Sequence, residues 1–393
     1  MHRLAAMAGG TYGRTALVHD FLLDLRGAER VFAQICAMYP TADVFTAVYD
    51  ERGTKGVFSD RDVQTTSLQR LHPTARTFRG LLPFYPAAIE RLDLRGYDLV
   101  VSSSSAWAHG VIPDEQAVHL CYCHNPFRYA WNARAETLAA CPAPMRPMLG
   151  ALLARWRTWD TVVAQRVDTY VANSDVTRKR VNRYLGRDAV IVHPPVDTRR
   201  FSTAPVSEHY VVLSELMRHK HIDVAVSAFS QLGLPLVVVG KGPDAARLKA
   251  LAGPSVTFAG HLPDAEVEAL LASARALVVT ATEEFGIAAV EAQAAGRPVI
   301  AQRAGGVLET VLEGVTGQFY DAAEPEALAA AVRGFDTLDV DPEACVASAR
   351  RFDTEHFRTG LQAQVDAALL AAADGPHAPV ALARRRRSRH LAA

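Results

Sequence analysis

Short apolar runs that end in small or polar residues recur along this chain, and helical stretches separate most of them. The first series is TALV (15–18), DVFTAVY (43–49), YDLVVSSS (97–104), AVHLCYC (117–123), DTYVANS (168–174) and AVIVHPPVD (189–197). Pro194 and Pro195 stop regular structure at its end. The second is YVVLSEL (210–216), PLVVVGKG (235–242), VTFAG (256–260), ALVVTAT (276–282), RPVIAQ (297–302) and GQFYD (317–321). Strands that are apolar throughout, rather than at every other position, are buried on both faces. With helices between them they predict parallel sheets covered on both sides. The pattern therefore predicts an α/β chain of two halves with a hinge near residues 196–208. Ligands of open α/β sheets bind beyond the carboxyl ends of the strands, so a cleft between two facing sheets is the expected site.

Composition narrows the function. A chain of 393 residues is too long for one ordinary core. Lys plus Arg and Asp plus Glu number 42 each, which removes a whole-protein electrostatic trap for nucleic acid. No run of about eighteen apolar residues occurs, so no membrane-spanning helix is expected. The opening MHRLAAMAGG is too short and glycine-broken for a secretory signal. The odd set Cys36, Cys121, Cys123, Cys141 and Cys345 suggests reduced thiols in the cytosol. Cys121-Tyr122-Cys123 lacks the gap of a zinc knuckle and reads as buried strand cysteines. The last long helical segment covers roughly 343–373; beyond Gly375-Pro376, ARRRRSRH (383–390) has no apolar period and reads as a disordered basic tail.

The most informative stretch is ALVVTATEEFGIAAVEAQAAGRPVIA (276–301), a buried strand, a polar turn and a helix beginning near Glu284–Ile287. Gly286 lets a ligand approach the backbone closely. The first amides of a helix have no partner inside it, and the helix dipole favours an anion there, so a diphosphate suits the amides around Phe285, Gly286 and Ile287. Glu291, about one turn in, could accept hydrogen bonds from ribose hydroxyls; Glu283, before the helix, could touch a transferred sugar. An isolated pair at this spacing would read as a capping glutamate and a solvated one; the strand–turn–helix context and AQAAGRPVIA set it apart.

These residues resemble the E-x7-E signature of the large family of retaining glycosyltransferases that includes bacterial mannosyltransferases. The likeness extends to HDFLLDLRGAERVF (19–32), YCHNPFRYAW (122–131), VANSDVTRKRVNRYLG (171–186), VIVHPPVDTRRF (190–201) and LSELMRHKHIDVAVSAF (213–229). It implies a GT-B fold: an acceptor-side Rossmann-like domain over 14–202, a nucleotide-sugar-binding one over 206–350, a helix over 351–374 returning to the first domain, and the basic tail 375–393. It also implies that Lys220 binds donor phosphates. The family's second cation, five residues earlier, is Glu215 here, which leaves Arg218 favoured in that role. His124 is expected to hold a sugar hydroxyl or place the acceptor. Gly27 should let the diphosphate or acceptor near its loop, where the family's second glycine is Ala28. Gly240 and Gly242 read as a turn near the nucleotide, Gly305 and Gly306 as lining the same pocket, and Asp20, Arg26 and Arg128 as acceptor contacts.

The resemblance further implies retention of configuration. No carboxylate is assigned as a covalent nucleophile. Same-face attack is expected, with the departing diphosphate taking the acceptor proton and domain closure excluding water. No metal or cofactor is expected, and the acidic pair Asp339/Asp341 reads as solvated. The segments 122–131 and 213–220 look closest to enzymes of polysaccharide or O-antigen synthesis, which favours GDP-mannose, with UDP-sugars open. The segment 61–95, with Arg61, Arg70, Arg76, Arg79, Arg91 and Arg95 around Leu81, Leu82, Phe84 and Tyr85, could rest on anionic lipid or simply cover the first domain. Arg384–Arg387 and Arg389 could add to it. A cytoplasmic protein, peripheral on the inner face of the cell membrane, with a lipid-linked or polysaccharide acceptor and no nucleic-acid partner, is the expectation. A sugar-nucleotide epimerase and a non-catalytic nucleotide-sugar-binding partner of an envelope assembly are the alternatives.

Overall fold

The computed structural model describes residues 13–75, 77–335 and 340–374. Arg76, Asp339 and the basic tail with Arg384–Arg387 and Arg389 lie outside them. By internal contacts the chain divides into two units, one holding the described residues of Met1–Val192 and Arg358–Ala393, the other His193–Phe357.

The first unit contains seven strands: β1 (Thr15–His19), β2 (Asp43–Thr46), β3 (Val63–Thr65), β4 (Leu99–Ser104), β5 (Val118–Cys123), β6 (Thr169–Ala172) and β7 (Ala189–Ile191). All pair in parallel, in the order β3-β2-β1-β4-β5-β6-β7. The second unit contains β8 (Tyr210–Leu213), β9 (Leu236–Val239), β10 (Val256–Gly260), β11 (Leu277–Val279), β12 (Val299–Gln302) and β13 (Gly317–Tyr320). They form a parallel sheet in the order β10-β9-β8-β11-β12-β13. Each sheet thus runs outward from its first strand, returns, and continues on the other side with its fourth. This is the doubly wound arrangement, with one reversal of strand order per sheet.

Burial explains why the runs are apolar throughout. Tyr210, Val212, Val238, Val278 and Ile300 belong to one core cluster, while their neighbours Val211, Val239, Leu277, Val299 and Ala301 belong to another. Successive side chains of one strand enter opposite faces, and both faces are covered. Every expected strand is present. Val63–Thr65 is an addition: a half-buried edge strand of three residues, too short and polar to show as an apolar run.

The crossover residues 193–202, expected with the first half, make their contacts in the second unit. Val196 bridges to Asp353, and Val196 and Phe201 pack with Phe285, Val290 and Phe352. The late helical segment is two helices, Pro342–Arg350 and Thr354–Asp374, broken at 351–353. From Arg358 the last helix counts with the first unit, where Arg358 donates to Gln34 Oε1 at 2.9 Å.

Several arginines of the segment 61–95 have structural partners. Arg61 donates to the carbonyls of Cys36 at 2.6 Å and Tyr39 at 3.0 Å, closing the end of the helix Gly27–Met38, so it is not available to lipid. Arg95 forks onto Asp93, and Tyr85 is fully buried. Arg70, Arg79 and Arg91 remain exposed, with Leu71 and Phe84. Among the described residues no helix is long and apolar enough to cross a membrane, and no cluster of three His, Cys, Asp or Glu could hold a metal. Asp341 caps the helix Pro342–Arg350, accepting from Glu343 N–H at 3.0 Å. The five cysteines are free, all but Cys141 buried.

Candidate active site

In a doubly wound sheet the crevice opens where strand order reverses, at the carboxyl ends of the first and fourth strands. In the second unit these are β8 and β11, whose loops carry Lys220 and Glu283. The Lys220 Nζ donates to both Glu283 carboxylate oxygens, each at 2.8 Å. Both side chains are only partly sheltered, 17% and 24% exposed. The Thr280 hydroxyl, at the end of β11, donates to the Lys220 carbonyl at 2.7 Å and ties the two loops together. His221 follows Lys220 in the left-handed region, φ 50°, a conformation that costs a non-glycine residue about 1–2 kcal/mol and needs such external support.

The glycines shape this reversal by letting backbones touch. A Cβ on Gly240, at φ 141°, would stand 1.8 Å from the Ser214 carbonyl oxygen; one on Gly242 would stand 2.2 Å from that of Leu216. Their lack of a side chain lets the β9 loop press on the β8 loop. Gly305 does the same beneath the other loop: at φ 80°, its Cβ would stand 2.4 Å from the Glu283 carbonyl oxygen, while Gly306 N–H donates to that oxygen at 2.8 Å. Gly240, Gly242 and Gly305 stay partly exposed beside these backbone contacts, and Gly306 is buried.

Gly286, at φ 93°, caps the eight-residue helix Ile287–Ala294. The helix starts at Ile287, the late end of the expected range, so its first amides lie just after Glu283. Glu291 is half-buried on this helix, within electrostatic reach of Arg200. Phe285 is 3% exposed, its ring in a core with Val196, Val290 and Phe352, which fits a reading in which its backbone amide rather than its side chain would meet a ligand. Arg218 is 82% exposed, with its Nε 3.8 Å from Asp244, a cation in water near the Lys220 turn.

In the first unit the reversal lies between β1 and β4. Asp20, expected as an acceptor contact, is buried there: its carboxylate accepts from the backbone N–H groups of Ser105 at 2.5 Å, Trp107 at 2.7 Å and Ala108 at 2.6 Å. It is a structural clamp between the β1 and β4 loops. Gly27 is the first residue of the helix Gly27–Met38, and Arg26 is its cap, with Glu29 Oε2 accepting the Arg26 N–H at 3.0 Å. The Arg26 side chain also meets Asp24 at 3.2 Å. Arg128 is half-buried in the loop after β5, where its carbonyl accepts from Ala133 N–H.

His124, just past β5, is 9% exposed. Its Nε2 lies 2.8 Å from Ser103 Oγ, whose oxygen also lies 3.1 Å from His19 Nδ1. Burial, and then the neighbouring His19, push the His124 imidazole down to about 3, so it is neutral near pH 7. Sequence reasoning passed over His19, Ser103 and Thr280. His19 carries the signal that singled out His124, a histidine where a buried strand ends; Ser103 and Thr280 sit in short polar strand ends that look like ordinary turn material.

A family model described as Glycosyltransferase Family 4 matches residues 25–200, and one described as Glycosyl transferases group 1 matches 198–352. A GDP-mannose-dependent alpha-(1-6)-phosphatidylinositol monomannoside mannosyltransferase of Mycolicibacterium smegmatis is 31% identical over 203 residues, covering 43% of this chain and 53% of that protein. A glycogen synthase of Mycobacterium tuberculosis is 35% identical over 151 residues, covering 35% of this chain and 36% of that protein. The chain thus spans about half or less of the length of such relatives. Among solved structures, Anabaena HepE in complex with UDP-glucose superposes with a TM-score of 0.71 at 18% identity, covering 90% of this chain and all of that one. The sucrose-phosphate synthase of Thermosynechococcus elongatus gives 0.69 at 17% identity, covering 92% and 100%. At these identities the structural likeness speaks for the fold alone. With two parallel doubly wound sheets, two adjoining family models and glycosyltransferase relatives, this chain belongs to the GT-B glycosyltransferases of the family 4 type.

Proposed function

We propose that the protein is a retaining glycosyltransferase that moves a hexose, with mannose favoured, from GDP-mannose to a lipid-linked or polysaccharide acceptor in envelope glycan synthesis. The observation that carries this reading is the Lys220–Glu283 pair at the strand-order reversal of the second sheet, just before a helix amino end. Without donor the two charges neutralise each other. A diphosphate competes for the Lys220 ammonium and for the first amides of the helix Ile287–Ala294, where the dipole favours it. Glu283, released, accepts hydrogen bonds from hydroxyls of the transferred sugar, and Glu291 from those of the ribose. Charge then builds on the leaving diphosphate, and Lys220, with Arg218, meets it. The acceptor attacks from the face the diphosphate leaves, and the diphosphate takes its proton. These cations stand in for a metal, so the reaction proceeds without one.

The mannose and GDP assignments draw on relatives whose names specify GDP-mannose-dependent mannosyltransfer. Exposed Arg70, Arg79, Leu71 and Phe84 support a peripheral seat on an anionic inner membrane face. The test is nucleoside-diphosphate release from GDP-mannose and UDP-glucose with membrane extract as acceptor, followed by NMR of the product's anomeric centre. Turnover of UDP-glucose alone would remove mannose, an inverted product would remove retention, and altered donor without acceptor would indicate an epimerase. Loss of turnover in EDTA would replace the cation account with a metal.

A further inference from the structure

Three strand ends of the first unit bring two histidines onto one serine. His19 and Ser103 are register partners on β1 and β4, and His124 follows β5 on the other side of β4. The Ser103 hydroxyl is 3.1 Å from His19 Nδ1 and 2.8 Å from His124 Nε2, and all three residues are buried. Behind His19, which stacks on Phe32, the Glu29 carboxylate lies 3.9 Å from Nε2. We propose that Glu29 and His19, acting through Ser103, hold His124 as the tautomer protonated at Nε2, leaving Nδ1 as a lone-pair nitrogen that accepts a substrate hydroxyl.

A hydroxyl has one proton, so Ser103 donates to one ring and must receive from the other. Two chains of donors satisfy this, running in opposite directions. Glu29 selects between them. At 3.9 Å the Glu29 carboxylate acts on His19 through its charge rather than through a hydrogen bond: it disfavours a lone pair at Nε2 and favours N–H there. With its proton on Nε2, neutral His19 presents a bare Nδ1, which accepts from Ser103. The Ser103 oxygen is then the acceptor for His124 Nε2–H. A doubly protonated His19 would reverse the chain. At 2% exposure such a cation would need a directly bonded counter-charge, and 3.9 Å is not a hydrogen bond. His124 carries a single ring proton because burial holds it neutral. With that proton given to Ser103, the ring cannot donate to a diphosphate oxygen; it can only take a hydrogen bond, as a sugar or acceptor hydroxyl offers. Glu29, His19 and Ser103 are positioning residues in this scheme. Their bearing on turnover rests on the reading that His124 meets substrate.

The test is a long-range proton–nitrogen correlation spectrum of the full chain carrying nitrogen-15 histidine, with His19→Gln and His124→Gln spectra for assignment. The expected wild-type result is a protonated Nε2 and a lone-pair Nδ1 on His124. In Glu29→Gln, whose amide oxygen can still cap Arg26, and in Ser103→Ala, the two His124 signals should move toward each other as tautomers mix. A wild-type His124 protonated at Nδ1, or variants that leave its signals unmoved, would overturn the proposal. Turnover gives the second arm: kcat of Glu29→Gln should fall about 10- to 100-fold with donor KM little changed. Mixed tautomers with full kcat would leave the relay standing and remove His124 from the catalytic reading.

Discussion

Replacing Lys220 by methionine keeps the length of the side chain and deletes its charge. In the free protein this removes two 2.8 Å contacts to Glu283, but both partners are partly open to water, at 17% and 24% exposure. Such pairs contribute about 0–1 kcal/mol, and the abandoned carboxylate can be hydrated. The folded state should therefore lose at most about 1 kcal/mol, a shift of a few degrees in Tm at most. The loss in the reaction is larger, because the ammonium then faces a diphosphate whose charge is growing. A hydrogen bond to a charged group contributes about 1.5–3 kcal/mol, which is about 10- to 150-fold in rate. The assay pairs a thermal melt with nucleoside-diphosphate release at saturating GDP-mannose and acceptor. A variant that melts like the wild type and turns over at least ten times more slowly is expected. A kcat within twofold of wild type would refute the assignment of Lys220 to the leaving group. A collapse of the melt would show the pair to be structural.

Three further outcomes follow from the geometry. Asp20→Asn puts an NH2 group where backbone N–H groups converge, and should lower the urea unfolding free energy by about 2–4 kcal/mol; an unchanged midpoint would show that Asp20 is no clamp. Gly305→Ala sets a Cβ 2.4 Å from the Glu283 carbonyl at φ 80°, so it should cost about 1–3 kcal/mol and raise donor KM; normal binding would separate this glycine from the site. His119 and His124 are each held down at about 3 from 6.5, chiefly by burial, so the unfolded chain binds protons that the folded one refuses. Stability from these two is present above pH 6.5 and lost as pH falls toward 3, by about 1.4 kcal/mol per pH unit for each. Urea titrations between pH 7 and 5 should show this slope, and His119→Gln should roughly halve it; a flat profile would contradict it.

Much of the architecture was legible because burial on both faces leaves a local mark. Every expected strand was found, since a run such as LVVV has no polar position to offer water. The half-buried edge strand Val63–Thr65 lacks that mark. At the candidate site, Lys220 and Glu283 stood out because each follows such a run, and Gly286 because helix entry at positive φ favours glycine. Direction was harder to read. Phe285 and Asp20 sit in the right loops, yet their side chains face inward, as core and clamp.

By itself, then, the amino-acid order determined that the chain makes two α/β halves with buried parallel strands and which strand ends carry charge, because periodicity and turn chemistry are properties of neighbours along the backbone. Only the tertiary structure decided that Lys220 meets Glu283, 63 residues away, and that Ser103 stands between His19 and His124, 84 and 21 residues off. The order in which parallel strands lie side by side makes those meetings, and it is set by packing across the whole sheet.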